Sequence, residues 1–358
     1  MKKVIALFFI PAILLLSGCY IGMSGEYFDY VFNEELGGIT VTDYNNDFSS
    51  VPFPSEIDGY PVTAVSINNN DRIKYVGFPE SVREIEFINC KYLEEVSVPD
   101  GVTSINIRMC KNLKKVNIPE GVTSMSITGS EWLEKVHIPE GVTEINLSSC
   151  SKLTSVTIPD SVTEIGYVAF AGCSKLTDIT IPNSVTSIGM TAFEDCYSLT
   201  SITIPDSVTS IGKGAFYGCS ALTEITIPDG ITSIEMFTFN GCSDLTSITI
   251  PDSVTVIDGH AFCKCRGLTE IKLPESIEEI GNSAFEGCKN LLSLTIPDSV
   301  TTIHSYTFKE CEALTEITIP DSVTDIGHGA FYKCPYVTVK YKGKLYTKNT
   351  GPDDWWDK

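Results

Sequence analysis

Cysteine is the residue type whose spacing most clearly suggests chemistry in this sequence of 358 residues. Eleven of its thirteen cysteines recur at one position of repeats of 20 or 23 residues, and Asn70 occupies the same position. These residues are Asn70, Cys90, Cys110, Cys150, Cys173, Cys196, Cys219, Cys242, Cys265, Cys288, Cys311 and Cys334. Such a column could form disulfide bonds, hold a metal ion, or be a structural ladder of reduced thiols.

Geometry favours the ladder of reduced thiols. Parallel Cβ atoms on neighbouring repeats would lie about 4.8 Å apart, which is wider than the ~3.8 Å of a disulfide. Zinc needs ligands that converge on one point, whereas a column spreads them along a line. No metal ligand is therefore assigned. Cys263 lies outside the column, two residues before Cys265, and is expected to form a strained local disulfide or to be a free surface thiol.

Acidic side chains form a second column, directly after a proline that recurs once per repeat. Eleven of its twelve residues are Asp or Glu. They are Glu80, Asp100, Glu120, Glu140, Asp160, Asn183, Asp206, Asp229, Asp252, Glu275, Asp298 and Asp321. Asp and Asn side chains bond to their own turn backbone, so turn formation is the favoured interpretation. A calcium-binding ridge is the alternative, because Ca²⁺ prefers several carboxylate and carbonyl oxygens. No other cofactor is indicated.

No set of residues resembles a catalytic site. The histidines, His137, His260, His304 and His328, occupy four different places in the repeat, so they form no column. The sequence contains no H-E-x-x-H, no G-x-S-x-G and no phosphate-binding loop. We therefore predict that the protein is not an enzyme.

The repeats that position these columns predict a solenoid. Proline recurs every 20 residues from Pro79 to Pro159 and every 23 residues from Pro182 to Pro320, in step with a β-branched column that begins at Val62. Alternating segments such as LTEITI, residues 222–227, are typical of strands. One repeat cannot bury its apolar residues alone, so the repeats must stack. We call one repeat a rung and predict a mainly β solenoid of about thirteen rungs with short parallel strands.

The same periods predict the domain organisation. Residues 52–161 hold the short, 20-residue rungs, and residues 162–334 hold the long, 23-residue rungs, each with an Ala/Thr-Phe pair. Residues 19–51 are expected to be a linker and an N-terminal β cap, and residues 335–358 a strand cap with an acidic tail. Caps are needed because terminal rungs would otherwise expose unpaired strand edges.

The repeated pattern LxxIxIPxSVTxIGxxAFxxC resembles the BspA-type leucine-rich repeats of bacterial surface proteins. The resemblance covers about residues 52–334, and it implies a leucine-rich-repeat fold and a role in adhesion or recognition. The five short rungs depart from the pattern, because they lack the IGxxAF element.

The first residues predict export and lipid anchoring. Two lysines and a short apolar stretch are typical of a signal peptide over residues 1–18, and the stretch is shorter than the ~20 residues that span a bilayer. Leu16-Ser17-Gly18-Cys19 resembles a bacterial lipobox, which implies that Cys19 carries the lipid; ordinary cleavage with a free Cys19 is the alternative. The anchor would be the protein's contact with the membrane. A net charge of −21 disfavours nucleic acid as a partner.

The short rungs carry the most varied side chains, and there we place the candidate partner-binding residues. They are Tyr75, Tyr92, Lys114, Lys115, Trp132, Lys135 and His137. The predicted function is recognition of a protein or glycan on host or neighbouring cells by a lipid-anchored surface protein. Two alternatives are a structural spacer without its own ligand and a calcium-stabilised component of a surface layer.

Overall fold

The computed structural model describes residues 27–356 and confirms the predicted fold class. It is a mainly β solenoid of about fourteen rungs with short parallel strands. By its internal contacts the chain divides into two compact units, one ending at Val122 and one starting at Thr123. Within the described residues, no helix is long and apolar enough to cross a membrane. The expected signal peptide and Cys19 lie outside the described residues.

The first unit contains ten strands. They are β1 (Phe28–Asn33), β2 (Gly38–Tyr44), β3 (Ser50–Pro52), β4 (Glu56–Ile57), β5 (Tyr60–Asn68), β6 (Tyr75–Gly77), β7 (Glu84–Ile88), β8 (Glu95–Ser97), β9 (Ser104–Arg108) and β10 (Lys115–Asn117). Strands β2, β5, β7 and β9 form one parallel sheet, and β3, β6, β8 and β10 form another. Each rung thus contributes one strand to each sheet.

The first unit starts with the predicted hairpin, because β1 pairs with β2 in antiparallel fashion. Strand β2 then pairs in parallel with β5, with Ile39 opposite Val62, and β3 pairs in parallel with β6, with Ser50 opposite Tyr75. The segment from Ile39 onward therefore forms one rung ahead of the first one that the β-branched column marks.

The second unit contains eighteen strands and a short helix. They are β11 (Ser124–Thr128), β12 (Glu144–Asn146), β13 (Ser155–Thr157), β14 (Glu164–Ile165), β15 (Asp178–Thr180), β16 (Ser187–Ile188), β17 (Ser210–Ile211), β18 (Glu224–Thr226), β19 (Ser233–Ile234), β20 (Ser247–Thr249), β21 (Val256–Ile257), β22 (Glu279–Ile280), β23 (Ser293–Thr295), β24 (Thr302–Ile303), β25 (Glu316–Ile319), β26 (Asp325–Ile326), β27 (Thr338–Tyr341), β28 (Lys344–Tyr346) and α1 (Asp353–Trp356). Most pair in parallel with the matching strand of the next rung.

The end of the second unit is closed by a hairpin and α1. Strands β27 and β28 pair in antiparallel fashion, as the Lys-Gly turn predicts. The amides of Gly329 and Phe331 donate to the carbonyls of Asp354 and Trp355, at 2.6 and 2.7 Å. These carbonyls take the place of the ones that a following rung would supply. The cap therefore satisfies backbone donors that would otherwise be left at an open edge.

Two stacked columns make the core of the long rungs. The eight Phe rings of the Ala/Thr-Phe pairs are fully buried, and neighbouring rings stack with centroids 5.4 to 5.8 Å apart. The β-branched column from Val62 to Val323 is also buried. Offset or parallel aromatic pairs add about 0.5–1.5 kcal/mol each to the apolar burial.

The cysteine column lies beside the Phe column. Its thiols are buried and free, and each donates to a backbone carbonyl of an earlier rung, as Cys219 does to Phe193 O at 3.1 Å. Burial raises the pKa of most of them, to about 12 for Cys150. Asn70 fills the same position, with its amide donating to Tyr44 O and its oxygen accepting from the next loop. These contacts support the structural ladder.

Candidate functional site

The sheet of β6, β8 and β10 presents the first group of predicted binding residues. Val76, Val96 and Val116 point inward and are buried. In the register of the sheet, Tyr75 lies opposite Glu95, and Glu95 lies opposite Lys115. Glu95 and Lys115 are exposed, and Tyr75 is partly exposed. The alternation of a β strand thus places Tyr75 and Lys115 on one outer face.

A row of three charges precedes these strands. The Glu94 carboxylate lies between two ammonium groups, 3.0 Å from Lys74 Nζ and 2.8 Å from Lys114 Nζ. Hydrogen bonds from Lys114 and Lys74 lower the pKa of Glu94, and the hydrogen bond to Glu94 raises the pKa of Lys74. The alternating signs pair across strands, as the sequence indicates. Lys114 is therefore already partnered, whereas its neighbour Lys115 faces outward.

The two aromatic corner residues lie in different units and differ in their surroundings. Tyr92, in the first unit, is exposed, with Lys91 Nζ 5.0 Å from the ring centroid. Trp132, in the second unit, is 46% exposed, and Lys152 Nζ lies 3.1 Å from its ring centroid. Lys152 comes one rung later, and the sequence analysis did not select it. A cation over an indole face is attractive and holds the ring in place.

Lys135 and His137 complete the group of the second unit. Both are exposed, and Val136 between them is only partly buried. Lys135 forms a parallel bridge with Ser155, the first residue of β13. Trp132, Lys135 and His137 thus belong to one rung, and the structure gives no contact among the three side chains.

Charge is distributed unevenly along the chain. Residues 72–152 contain ten Lys or Arg and eleven Asp or Glu, whereas residues 153–358 contain thirteen and twenty-six. The short rungs are therefore close to neutral while the rest of the solenoid is strongly acidic. A partner that carries both signs of charge meets the least repulsion on the short rungs.

The other sheet of the first unit carries a polar network that the sequence analysis did not select. The Glu86 carboxylate accepts from Ser66 Oγ at 2.6 Å and from Asn106 Nδ2 at 2.7 Å. Asn106 Oδ1 in turn accepts from Arg108 Nε at 2.7 Å. Because these residues bond to one another in the free protein, the network satisfies its own donors and acceptors.

An exposed aromatic patch lies on the N-terminal cap. Phe32 and Tyr60 are each about half exposed, and their rings meet edge to face with centroids 5.1 Å apart. The Tyr30 hydroxyl donates to Asp58 beside them. The alternating aromatic residues of YFDYVF are the sequence signal for this patch, which was interpreted only as a cap.

The acidic turn row is exposed along its length. Its turns are closed by backbone bonds such as Val208 N to Pro205 O, at 3.0 Å, and the following serine donates to the previous rung, as Ser207 Oγ does to Val185 O at 2.7 Å. Over residues 27–356, no three of these carboxylates converge within 4.8 Å. Backbone and serine bonds thus build this corner.

Cys263 differs from the expectation for it. It is only 4% exposed and free, so the prediction of a surface thiol or a local disulfide is wrong. Its sulfur points into the gap between two rungs, where burial and the nearby Glu286 carboxylate raise its pKa to about 11, most of all through burial.

Comparisons with known proteins agree on the repeat type. Residues 44–149, 146–258 and 232–350 match the model described as BspA type leucine rich repeat region, with six copies. A leucine rich cell surface protein from Faecalibacterium prausnitzii is 28% identical, with a TM-score of 0.57, over 91% of this chain and 96% of its own. A leucine-rich repeat protein from Bacteroides ovatus, 22% identical, shares the fold with a TM-score of 0.54, over 86% of this chain and 91% of its own. A search of curated proteins found no significant match.

Proposed function

Because the chain belongs to the BspA-type leucine-rich-repeat family, we propose that it is a lipid-anchored cell-surface protein that recognises a protein or glycan partner and catalyses no reaction. The similar protein from F. prausnitzii is described as a cell surface protein, which supports the location. A solenoid presents extended exposed faces, and such faces are what repeat proteins use for binding.

The observation that carries the proposal is the contrast between the short and the long rungs. The short rungs expose Lys115, Trp132, Lys135 and His137, where the later rungs carry mostly Ser and Thr at the matching strand positions. Trp and Arg or Lys side chains with large exposed surfaces are frequent centres of protein interfaces. The near-neutral charge of this region favours a partner with both acidic and basic groups.

A binding assay on intact cells tests the proposal. The full-length chain is produced in a bacterial host, and the cells are screened for saturable binding to matrix proteins, other bacteria and glycans. The test variant carries Lys115→Ser, Trp132→Ser, Lys135→Ser and His137→Thr. We expect its affinity to fall by about 30-fold or more, because loss of a central aromatic contact alone costs about 2 kcal/mol.

A matched control changes the same strand position on long rungs, with Asp178→Ser, Glu224→Ser and Glu270→Ser. This variant should bind as well as the original chain. Equal loss in both variants would contradict a site on the short rungs. Absence of any saturable binding would favour the spacer function.

The anchor is tested separately. With Cys19→Ala the chain should take up no labelled fatty acid and should leave the membrane fraction, because two or more acyl chains are what stable attachment requires. Retention in the membrane without Cys19 would refute lipid anchoring but would leave the binding proposal intact.

A further inference from the structure

Three side chains of the long rungs bring a nitrogen, a sulfur and an oxygen donor together. We infer that His260, Cys263 and Glu286 form a binding site for a zinc-type divalent metal ion. Their donor atoms lie within 4.8 Å of one another. Among the residues that the structure describes, they are the one group of three or more His, Cys, Asp or Glu that converges in this way.

The fold of the turn explains why these residues meet. His260 and Cys263 are the first and last residues of a tight turn, closed by the bond from Cys263 N to His260 O at 3.1 Å. His260 has a positive φ of 57°, which directs its side chain to the side of the turn. Glu286 follows Cys263 by 23 residues, so it occupies the same position on the next rung.

Backbone bonds to both neighbouring rungs hold the turn. His260 N donates to Asn282 O at 2.9 Å, and Lys264 N donates to Glu286 O at 2.6 Å. On the other side, Gly241 N donates to Cys263 O at 2.8 Å. The backbone of all three ligands is thus fixed before an ion arrives. Such preorganisation lowers the entropy cost of binding.

The side chains are also held and shielded. The His260 ring stacks on Phe237, with centroids 4.9 Å apart and planes 14° apart. Cys263 is almost completely buried, and the Asn240 side chain, itself buried, bonds to its sulfur. The Glu286 side chain is 19% exposed. These neighbours act as the supporting shell that orients metal ligands.

The donor set selects the class of ion. One imidazole, one thiolate and one carboxylate suit zinc, which binds these groups at about 2.0 to 2.3 Å. Calcium and magnesium prefer oxygen ligands alone. Three protein ligands leave the fourth tetrahedral position for water or for a group from another molecule. Donor atoms within 4.8 Å need only small side-chain rotations to reach these distances.

Lys309 is the competitor for the ion. It lies one rung after Glu286, and its Nζ is 2.7 Å from Glu286 Oε1. A bound ion and this ammonium group would share one carboxylate and repel each other. The cation therefore lowers the affinity of the site for metal, and its removal should raise that affinity. Lys309 thus gives the site a variant with the opposite expected effect.

Cobalt provides the test, because a cobalt ion bound to a thiolate has a charge-transfer absorption. The purified full-length chain, kept reduced, is titrated with Co²⁺ and then with Zn²⁺. We expect one equivalent of Co²⁺ to bind with the thiolate absorption, and Zn²⁺ to displace it. Cys263→Ser should abolish that absorption, and His260→Ala and Glu286→Gln should each weaken binding by about 100-fold or more.

Two further variants keep the test sharp. Lys309→Met should tighten Co²⁺ binding by about tenfold. Glu310→Gln removes a similar ion pair one rung away, to Lys333 at 2.7 Å, and should leave Co²⁺ binding unchanged. Circular dichroism verifies that each variant is folded. Binding that persists in folded Cys263→Ser, or an absence of stoichiometric binding to the original chain, would overturn the site. Neither outcome affects the proposed partner binding, which concerns other rungs.

Discussion

Mild alkali should unfold this protein, because its buried cysteine column cannot ionise in place. Burial raises the pKa of six column thiols that lie away from the proposed metal site. They are Cys150, Cys173, Cys196, Cys219, Cys242 and Cys311. A thiol whose pKa is higher in the folded than in the unfolded chain stabilises the fold fully below the unfolded pKa. This stabilisation is lost as the pH rises above that value.

The magnitude follows from the ionisation of the unfolded chain. A thiol with a pKa of about 8.5 is roughly nine-tenths ionised at about pH 9.5, which favours the unfolded chain by about 1.4 kcal/mol. Cys150, with a pKa of about 12 in the fold, stays protonated at that pH. Six such thiols together remove about 8 kcal/mol. This loss is comparable to the ~5–15 kcal/mol by which typical proteins are stable.

Denaturation by guanidinium, followed by circular dichroism under reducing conditions, measures the loss between about pH 7.5 and about pH 9.5. The matched variant is Cys219→Ser, because Ser130 shows that serine is accepted in this column. Its free energy of unfolding should be lower at neutral pH but should fall by about 1.4 kcal/mol less on going to alkali. The reasoning is refuted if the original chain loses less than about 2 kcal/mol, or if both chains lose the same amount.

Four changes test individual parts of the fold, each by the free energy of unfolding. Phe216→Ala should cost about 3–5 kcal/mol, because it opens a cavity in the middle of the ring stack; a cost below about 1 kcal/mol would contradict the stacked core. Ser207→Ala should cost about 1 kcal/mol by removing the bond to the previous rung, whereas an unchanged value would show that this bond adds nothing. Gly212→Ala should cost more than about 2 kcal/mol, since its Cβ would lie 2.5 Å from a backbone nitrogen of the previous rung; full tolerance would mean that the rungs can move apart. Ser130→Cys should add about 1 kcal/mol, because the buried Ser130 Oγ has no hydrogen-bond partner within residues 27–356 and the longer thiol matches the column; a destabilised variant would refute this.

The candidate binding residues could be only partly defined from the sequence. The alternation of the strands placed Lys115 and Lys135 outward, because side chains alternate between the two faces of any strand. The sequence alone did not show that Glu94 joins Lys114 to Lys74, or that Lys152 covers Trp132. Those contacts depend on how long side chains lie across neighbouring rungs, which a repeat period does not specify.

By itself, the sequence determined the repeat, the columns and the caps. A residue that recurs every 20 or 23 positions must face the same neighbours on each rung, so burial of the Phe column and of the cysteine column follows from the period. The tertiary structure decided what happens between columns. His260 belongs to one column, and Cys263 and Glu286 belong to another, so their spacing does not indicate a contact. The conformation of the tight turn, with its positive φ at His260, together with the stacking of the next rung, brings the three donors together.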